Sequence, residues 1–243
     1  MNYLVSVVVV FYCVSSFANP AVVDRVIGEN DFVMVDSTGS NIPFRYRKII
    51  DAFGFMDIGC TATHIGNGYV LTAGHCFWAP PTLVEDTPCD DVTVEWGYRK
   101  DTKPYLVSKC QRIVAAIHSN SMDFAVIKVS PIPPISIAPD LQRKMIGGDS
   151  LTVFSHADEQ PLQWSGFCGS ETIKDPQFSS ELVQHKCDTN PGSSGATLLN
   201  LLTLKVVGIH DGGAEEGGVG IVNYGTYIMT TPLYEILKKL GFQ

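Results

Sequence analysis

The sequence predicts an all-β protein in two halves, with a single helix at its C-terminus. Three observations carry this: short apolar stretches with period two, a proline-rich connector between them, and one helical repeat at the end. In "DVTVEWGY" the residues Val92, Val94, Trp96 and Tyr98 fall on one face of an extended strand. Similar runs at "YVLTA", "FAVIKV", "LTVF", "LKVVGI" and "GTYIMT" are separated by Gly, Pro, Asn and Asp. "SPIPPISIAPD" has four prolines, which cannot donate ladder hydrogen bonds and favour an extended connector. At the end, Thr231 can cap, Pro232 suits the first helical position, and Leu233, Ile236, Leu237 and Leu240 recur at helical spacing before Gly241. This helix is expected to pack on the second half.

The 243 residues suffice for one or two compact cores, and 45% hydrophobic with 17% charged residues describes an ordered globular chain. A net charge of −8 argues against nucleic acid or an anionic membrane surface as the main partner.

The first 18 residues, "MNYLVSVVVVFYCVSSFA", combine an apolar run with small residues at Ser16 and Ala18. They read as a secretory signal cut before Asn19, since the run is shorter than the roughly 20 residues of a membrane span and no basic stop follows. Cys13 leaves with the signal. The remaining Cys60, Cys76, Cys89, Cys110, Cys168 and Cys187 are an even set in an exported chain and read as three disulfides. Six cysteines allow 15 pairings; pairing sequence neighbours (60–76, 89–110, 168–187) closes three modest loops and is the expectation. No CxxC, HExxH or calcium-loop pattern occurs, and Glu85, Asp86, Asp90 and Asp91 read as a solvated loop, so no metal or other cofactor is expected.

Three further stretches carry chemistry. In "GCTATHIGNGYVLTAGHC" a bridge from Cys76 back to Cys60 would hold His75 rigidly, as a general base must be held. In "SMDFAVIKV" Asp123 opens an apolar strand, where a carboxylate can fix the tautomer of an imidazole and stabilise its protonated form. "CDTNPGSSGATLL" sets two serines between glycines. Taken alone, each has an ordinary structural reading; the order His75, Asp123, Ser194 and the sequences around them do not.

With "TAGHC", "MDFAVIKV" and "GSSG" in that order, the chain resembles a chymotrypsin-fold serine protease over most of residues 26–243. The resemblance implies two antiparallel six-stranded β-barrels, the first at about 40–130 and the second at about 141–230, joined by a linker at 131–140 and followed by a helix at 231–241. It makes Ser194 the nucleophile and Ser193 the spacer, with the backbone N–H groups of Gly192 and Ser194 as the oxyanion hole. The Asp that precedes the nucleophile in digestive members is absent, so activation through that ion pair is not expected.

Asp188 stands where trypsin-like enzymes carry an acidic pocket base, and alone it implies cleavage after Arg or Lys. However, "RVIGENDFVMVDSTGSNIPFRYRKII" resembles the mature N-terminal region of bacterial glutamyl endopeptidases. In that branch a His, a Thr and in some members the N-terminal α-amino group receive an acidic side chain; the matching positions are His210, Thr189 and Val26. A hydroxyl and positive charge are what a buried carboxylate needs. Asp211, beside His210, either orients its imidazole or opposes carboxylate binding. A mature chain beginning at Val26 implies a propeptide, 19–25, cut after Arg25 by another protease. His64, His118, His156 and His185 have no partner at diagnostic spacing and read as structural or surface residues; Trp164 reads as core.

The expectation is therefore a secreted, monomeric serine endopeptidase acting on protein or peptide substrates after Glu, and less well after Asp, through an acyl-enzyme, with no stable membrane anchor. The alternatives are trypsin-like cleavage through Asp188 and a catalytically silent protease-fold binding protein.

Overall fold

The computed structural model of the chain describes residues 25–171 and 178–243. The expected signal (1–18) and the expected propeptide, apart from Arg25, lie outside the described residues. Eight strands precede the proline-rich connector: β1 (Val33–Met34), β2 (Phe53–Met56), β3 (Cys60–Gly66), β4 (Tyr69–Thr72), β5 (Val84–Thr87), β6 (Thr93–Trp96), β7 (Leu106–His118) and β8 (Asp123–Ser130). Seven follow it: β9 (Ser150–Ser155), β10 (Gln163–Trp164), β11 (Cys168–Gly169), β12 (Leu182–His185), β13 (Thr197–Asn200), β14 (Val206–Glu216) and β15 (Val219–Tyr227). Helix α1 (Pro232–Lys239) ends the fold.

The first sheet runs β7-β6-β2-β3-β4-β8 and closes where β8 pairs back onto β7, with β5 added outside. The alternation in "DVTVEWGY" does what its period requires, since Val92, Val94 and Trp96 are buried. The second sheet runs β9-β13-β14-β15-β12, with β11 on the other edge of β9. A bridge between Ser170 and His185 joins the free edges of β11 and β12, completing a ring of six, and β10 and β1 extend it. The N-terminal segment thus belongs to the second barrel, although it precedes the first in sequence.

The largest core cluster spans both halves: Phe53, Leu71 and Phe124 from the first meet Phe154, Trp164 and Ile209 from the second. Helix α1 contributes Leu233, Ile236 and Leu237 to this shared cluster, and Phe242 beyond it reaches the ring of Tyr69 in the first barrel at 6.1 Å. It therefore seals the seam between the barrels instead of packing on the second alone, because its apolar stripe completes a cluster to which both contribute. Thr231 is the backbone cap residue, but its hydroxyl donates back to Tyr227 O and makes no bond to the first helical turn.

All three nearest-neighbour disulfides form: Cys60–Cys76, Cys89–Cys110 and Cys168–Cys187. Trp164 is core, and its indole N–H donates to Thr152 Oγ1 at 2.6 Å. No helix among the described residues is long and apolar enough to cross a membrane.

Candidate active site

His75 opens a short 3-10 turn directly after β4, and the Cys60–Cys76 bridge ties that turn to the start of β3. Gly74, before it, must be glycine, since a Cβ there would fall 2.1 Å from Ile117 O. Asp123, first residue of β8, holds the histidine twice. Its Oδ1 accepts the His75 backbone N–H at 2.9 Å and its Oδ2 lies 2.5 Å from His75 Nδ1. Asp123 is in turn fixed across the seam: its backbone N–H donates to Thr226 Oγ1 at 2.7 Å, and that hydroxyl lies 3.0 Å from Asp211 Oδ2. Asp211 therefore accepts from the hydroxyl that supports Asp123.

Ser193 and Ser194 separate cleanly. Ser193 is buried with its hydroxyl 3.0 Å from Ser155 Oγ and accepting the Asn190 N–H, so it points into the second barrel. Ser194 faces a cleft of about 590 Å³ whose walls include His75, His118, Gly192, Ile58 and Trp78. Gly192 has φ +95, and a Cβ there would meet His156 O at 2.5 Å. The backbone N–H groups of Gly192 and Ser194 donate to no other backbone group among the described residues, so this turn can present both to an oxyanion.

Sequence reasoning passed over two histidines. His118 pairs with Asp123 across β7–β8, and its ring centroid lies 5.6 Å from that of His75 in the cleft. His185 lies 3.3 Å, Nε2 to Nδ1, from His210. Neither carries a local motif; both are brought in by strand pairing. His64 and His156 are structural as expected. His64 bonds Ile135 O and the Gly68 N–H, and His156 is buried against Tyr98 and Phe55.

The His185–His210 contact sets tautomers. The Cys187 N–H donates to His185 Nδ1 at 3.2 Å, so a neutral His185 carries its proton on Nε2 and donates to His210 Nδ1. A neutral His210 then keeps its own N–H at Nε2. Burial, with His210 alongside, holds the His185 imidazole well below its ordinary range and hence uncharged.

Asp188 is buried. Its two carboxylate oxygens accept the backbone N–H groups of Ile27 at 2.8 Å and Asp31 at 2.7 Å, and burial pushes its pKa up from the usual carboxylate value. Both oxygens thereby anchor the N-terminal segment. Thr189 is also buried, with its backbone N–H donating to Arg25 O and its Oγ1 accepting the Arg25 N–H. Val26 therefore starts beside Thr189.

Among the described residues, two groups lie close enough to share a metal ion: Cys60, His75 and Cys76, and His75, His118 and Asp123. In the first the cysteines are bridged, and in the second His75 Nδ1 is closed on Asp123. The acidic residues near Cys89 do not converge, and Asp86 pairs with Arg112 at 2.5 Å.

Residues 60–209 match the family model described as a trypsin-like peptidase domain. No curated protein matches the chain. Among solved structures, a Glu endopeptidase in complex with MPD is similar with a TM-score of 0.64 and 19% identity over 88% of this chain and 98% of its own. An inactive serine-to-alanine form of Rv3671c from M. tuberculosis H37Rv is similar with a TM-score of 0.57 and 15% identity, over 86% of this chain and 95% of that one. At these identities the likeness is one of fold.

Proposed function

The chain belongs to the trypsin-like peptidase family, whose model matches residues 60–209, and from that premise we propose that it is an exported endopeptidase cleaving after Glu, with Ser194, His75 and Asp123 as its triad. Ser194 Oγ attacks the scissile carbonyl while His75 Nε2 takes its proton. Asp123, bonded at Nδ1, keeps that tautomer and stabilises the imidazolium. The developing oxyanion is received by the N–H groups of Gly192 and Ser194. His75 then returns its proton to the leaving amine, and water releases the acyl-enzyme by the reverse sequence.

The observation that carries the triad is the double hold of Asp123 on His75, at the cleft that Ser194 faces. The preference for Glu is supported by the engagement of both Asp188 oxygens by backbone N–H groups, and by the His185–His210 contact, in which His210 Nδ1 accepts from His185. An imidazole N–H, a hydroxyl and, once the chain starts at Val26, an α-ammonium suit a carboxylate. The three disulfides support export.

The test is kcat/KM on peptides differing only in the residue before the scissile bond (Glu, Asp, Gln, Arg, Lys, Phe), with enzyme starting at Val26 and a Ser194→Ala control. Glu should exceed Gln by about 10- to 100-fold, the worth of charge-assisted bonds. Preference for Arg or Lys would restore the trypsin-like reading. No turnover of any peptide would point to a silent protease fold.

A further inference from the structure

Thr189, one of the residues expected to receive an acidic side chain, is engaged by the chain's own N-terminal segment. The carbonyl oxygen of Arg25 accepts two N–H groups: the backbone N–H of Thr189 at 3.0 Å and the side-chain Nδ2 of Asn223 at 2.7 Å. Asn223 Nδ2 also donates to Cys187 O at 2.8 Å, which fixes the carboxamide orientation. Thr189 and Asn223 are both fully buried. Strand register puts Asn223 near the two histidines. It faces His185 across β12–β15 and stands two residues from Gly225, which faces His210 across β14–β15. Alternate residues of a strand share a face, so Asn223, His185 and His210 lie together.

The segment is anchored on both sides of this carbonyl. Arg25 pairs with Glu215 at 2.5 Å, and the N–H groups of Ile27 and Asp31 are held by Asp188. Arg25 Cβ and Val26 O pack so closely on Gly220 that a Cβ there would fall 2.6 Å from each. Two N–H groups converging on one oxygen form a site that a carboxylate oxygen fills more favourably than a neutral carbonyl does, because hydrogen bonds to an ionised acceptor are stronger.

We propose that the Arg25 carbonyl plugs the acid-reading pocket in the uncut chain, and that Asn223, together with Thr189, is the donor that holds the substrate's side-chain carboxylate once the plug is removed. Hydrolysis of the Arg25–Val26 bond by an Arg-directed protease consumes one water. It leaves a carboxylate on Arg25, which departs with the propeptide, and an α-ammonium on Val26, which stays beside Thr189. One cut thus vacates two donors and adds a positive charge at the same place. The double hold of Asp123 on His75 involves no residue of this segment. The inference rests on the Glu-directed reading and adds to it a specificity residue and a regulatory step.

The experiment compares a chain starting at Val26 with one starting at Asn19 and carrying Arg25→Gln, which an Arg-directed protease cannot cut. Matched Glu and Gln peptides and a small fluorophosphonate without an acidic group are the probes. The Val26 chain should exceed the uncut chain on the Glu peptide by about 100-fold or more, the fraction of time the plug is out setting the apparent affinity. Fluorophosphonate labelling of the two should agree within about threefold, because the reagent does not need the pocket. In the Val26 chain, Asn223→Ala should cut the Glu-to-Gln ratio by about tenfold or more, and Asn223→Asp, of the same shape but opposed charge, should cut it further. Equal kcat/KM for the cut and uncut chains would overturn the plug, a comparison that involves no change at Asn223. An unchanged Glu-to-Gln ratio in the Asn223 variants would overturn its role as a donor. Absence of Glu preference in the Val26 chain itself would instead remove the Glu-directed reading on which both rest.

Discussion

Asp123 grips His75 at two points, with one carboxylate oxygen on the backbone N–H at 2.9 Å and the other 2.5 Å from Nδ1. The first contact fixes where the residue sits, and the second fixes which ring nitrogen is left as the base. Asp123→Asn keeps the shape but reverses the tautomer preference. It should lower kcat by about 10⁴ with little change in KM. Steady-state kinetics on the peptide panel, with thermal unfolding as a control for folding, checks this.

The two serines should behave as opposites. Ser194→Ala should abolish turnover and leave stability within about 0.5 kcal/mol of the parent, since its side chain lines the cleft. Ser193→Ala should retain turnover but lose about 1 kcal/mol, because Ser193 Oγ bonds Ser155 and accepts the Asn190 N–H inside the barrel. Urea unfolding of both variants beside their kcat values separates the roles.

Gly192 should tolerate no side chain. With φ +95 and a Cβ position 2.5 Å from His156 O, Gly192→Ala must shift the turn that presents the oxyanion donors. The expected loss is about 10²–10³ in kcat, the effect of removing one such donor. Fluorophosphonate labelling, whose tetrahedral adduct uses the same hole, should slow in parallel.

Stability should fall on acidification. Burial holds the His156 imidazole down to about 4, against 6.5 in an unfolded chain. Between these values the unfolded state binds more protons, so stability rises with pH and is lost as pH drops from about 6.5 towards 4. Going from pH 7 to pH 5 should cost roughly 2 kcal/mol at this site alone. His185, also held low by burial, acts in the same direction. Denaturant midpoints at the two pH values, for the parent and for His156→Gln, measure the effect; the variant should show the smaller drop.

Much of this was legible in the sequence because local signals and function coincide there. "TAGHC" joins the proposed base to the cysteine that holds it, and "GSSG" marks a turn whose glycine at 192 has positive φ. The disulfides followed from short loops, the strands from period-two patterning, and the two barrels from the family resemblance of the motifs. What stayed hidden depends on long-range pairing. Asn223 has no motif, and its place beside Thr189 and Arg25 comes from β12–β15 register and from a segment nearly 200 residues away in sequence. The surroundings of Asp188 were hidden for the same reason: the N–H groups that its carboxylate accepts belong to Ile27 and Asp31, more than 150 residues away in sequence. The helix was correctly placed in sequence and misassigned in packing, since its amphipathic pattern says which face is buried and not against which barrel.

The most direct test of the central claim is to map where a fluorophosphonate attaches to the chain starting at Val26. A single adduct on Ser194, lost in Ser194→Ala and slowed by about 10³ or more in His75→Ala, is the expected result. An adduct on Ser193, or a folded protein that takes up no reagent at all, would contradict it.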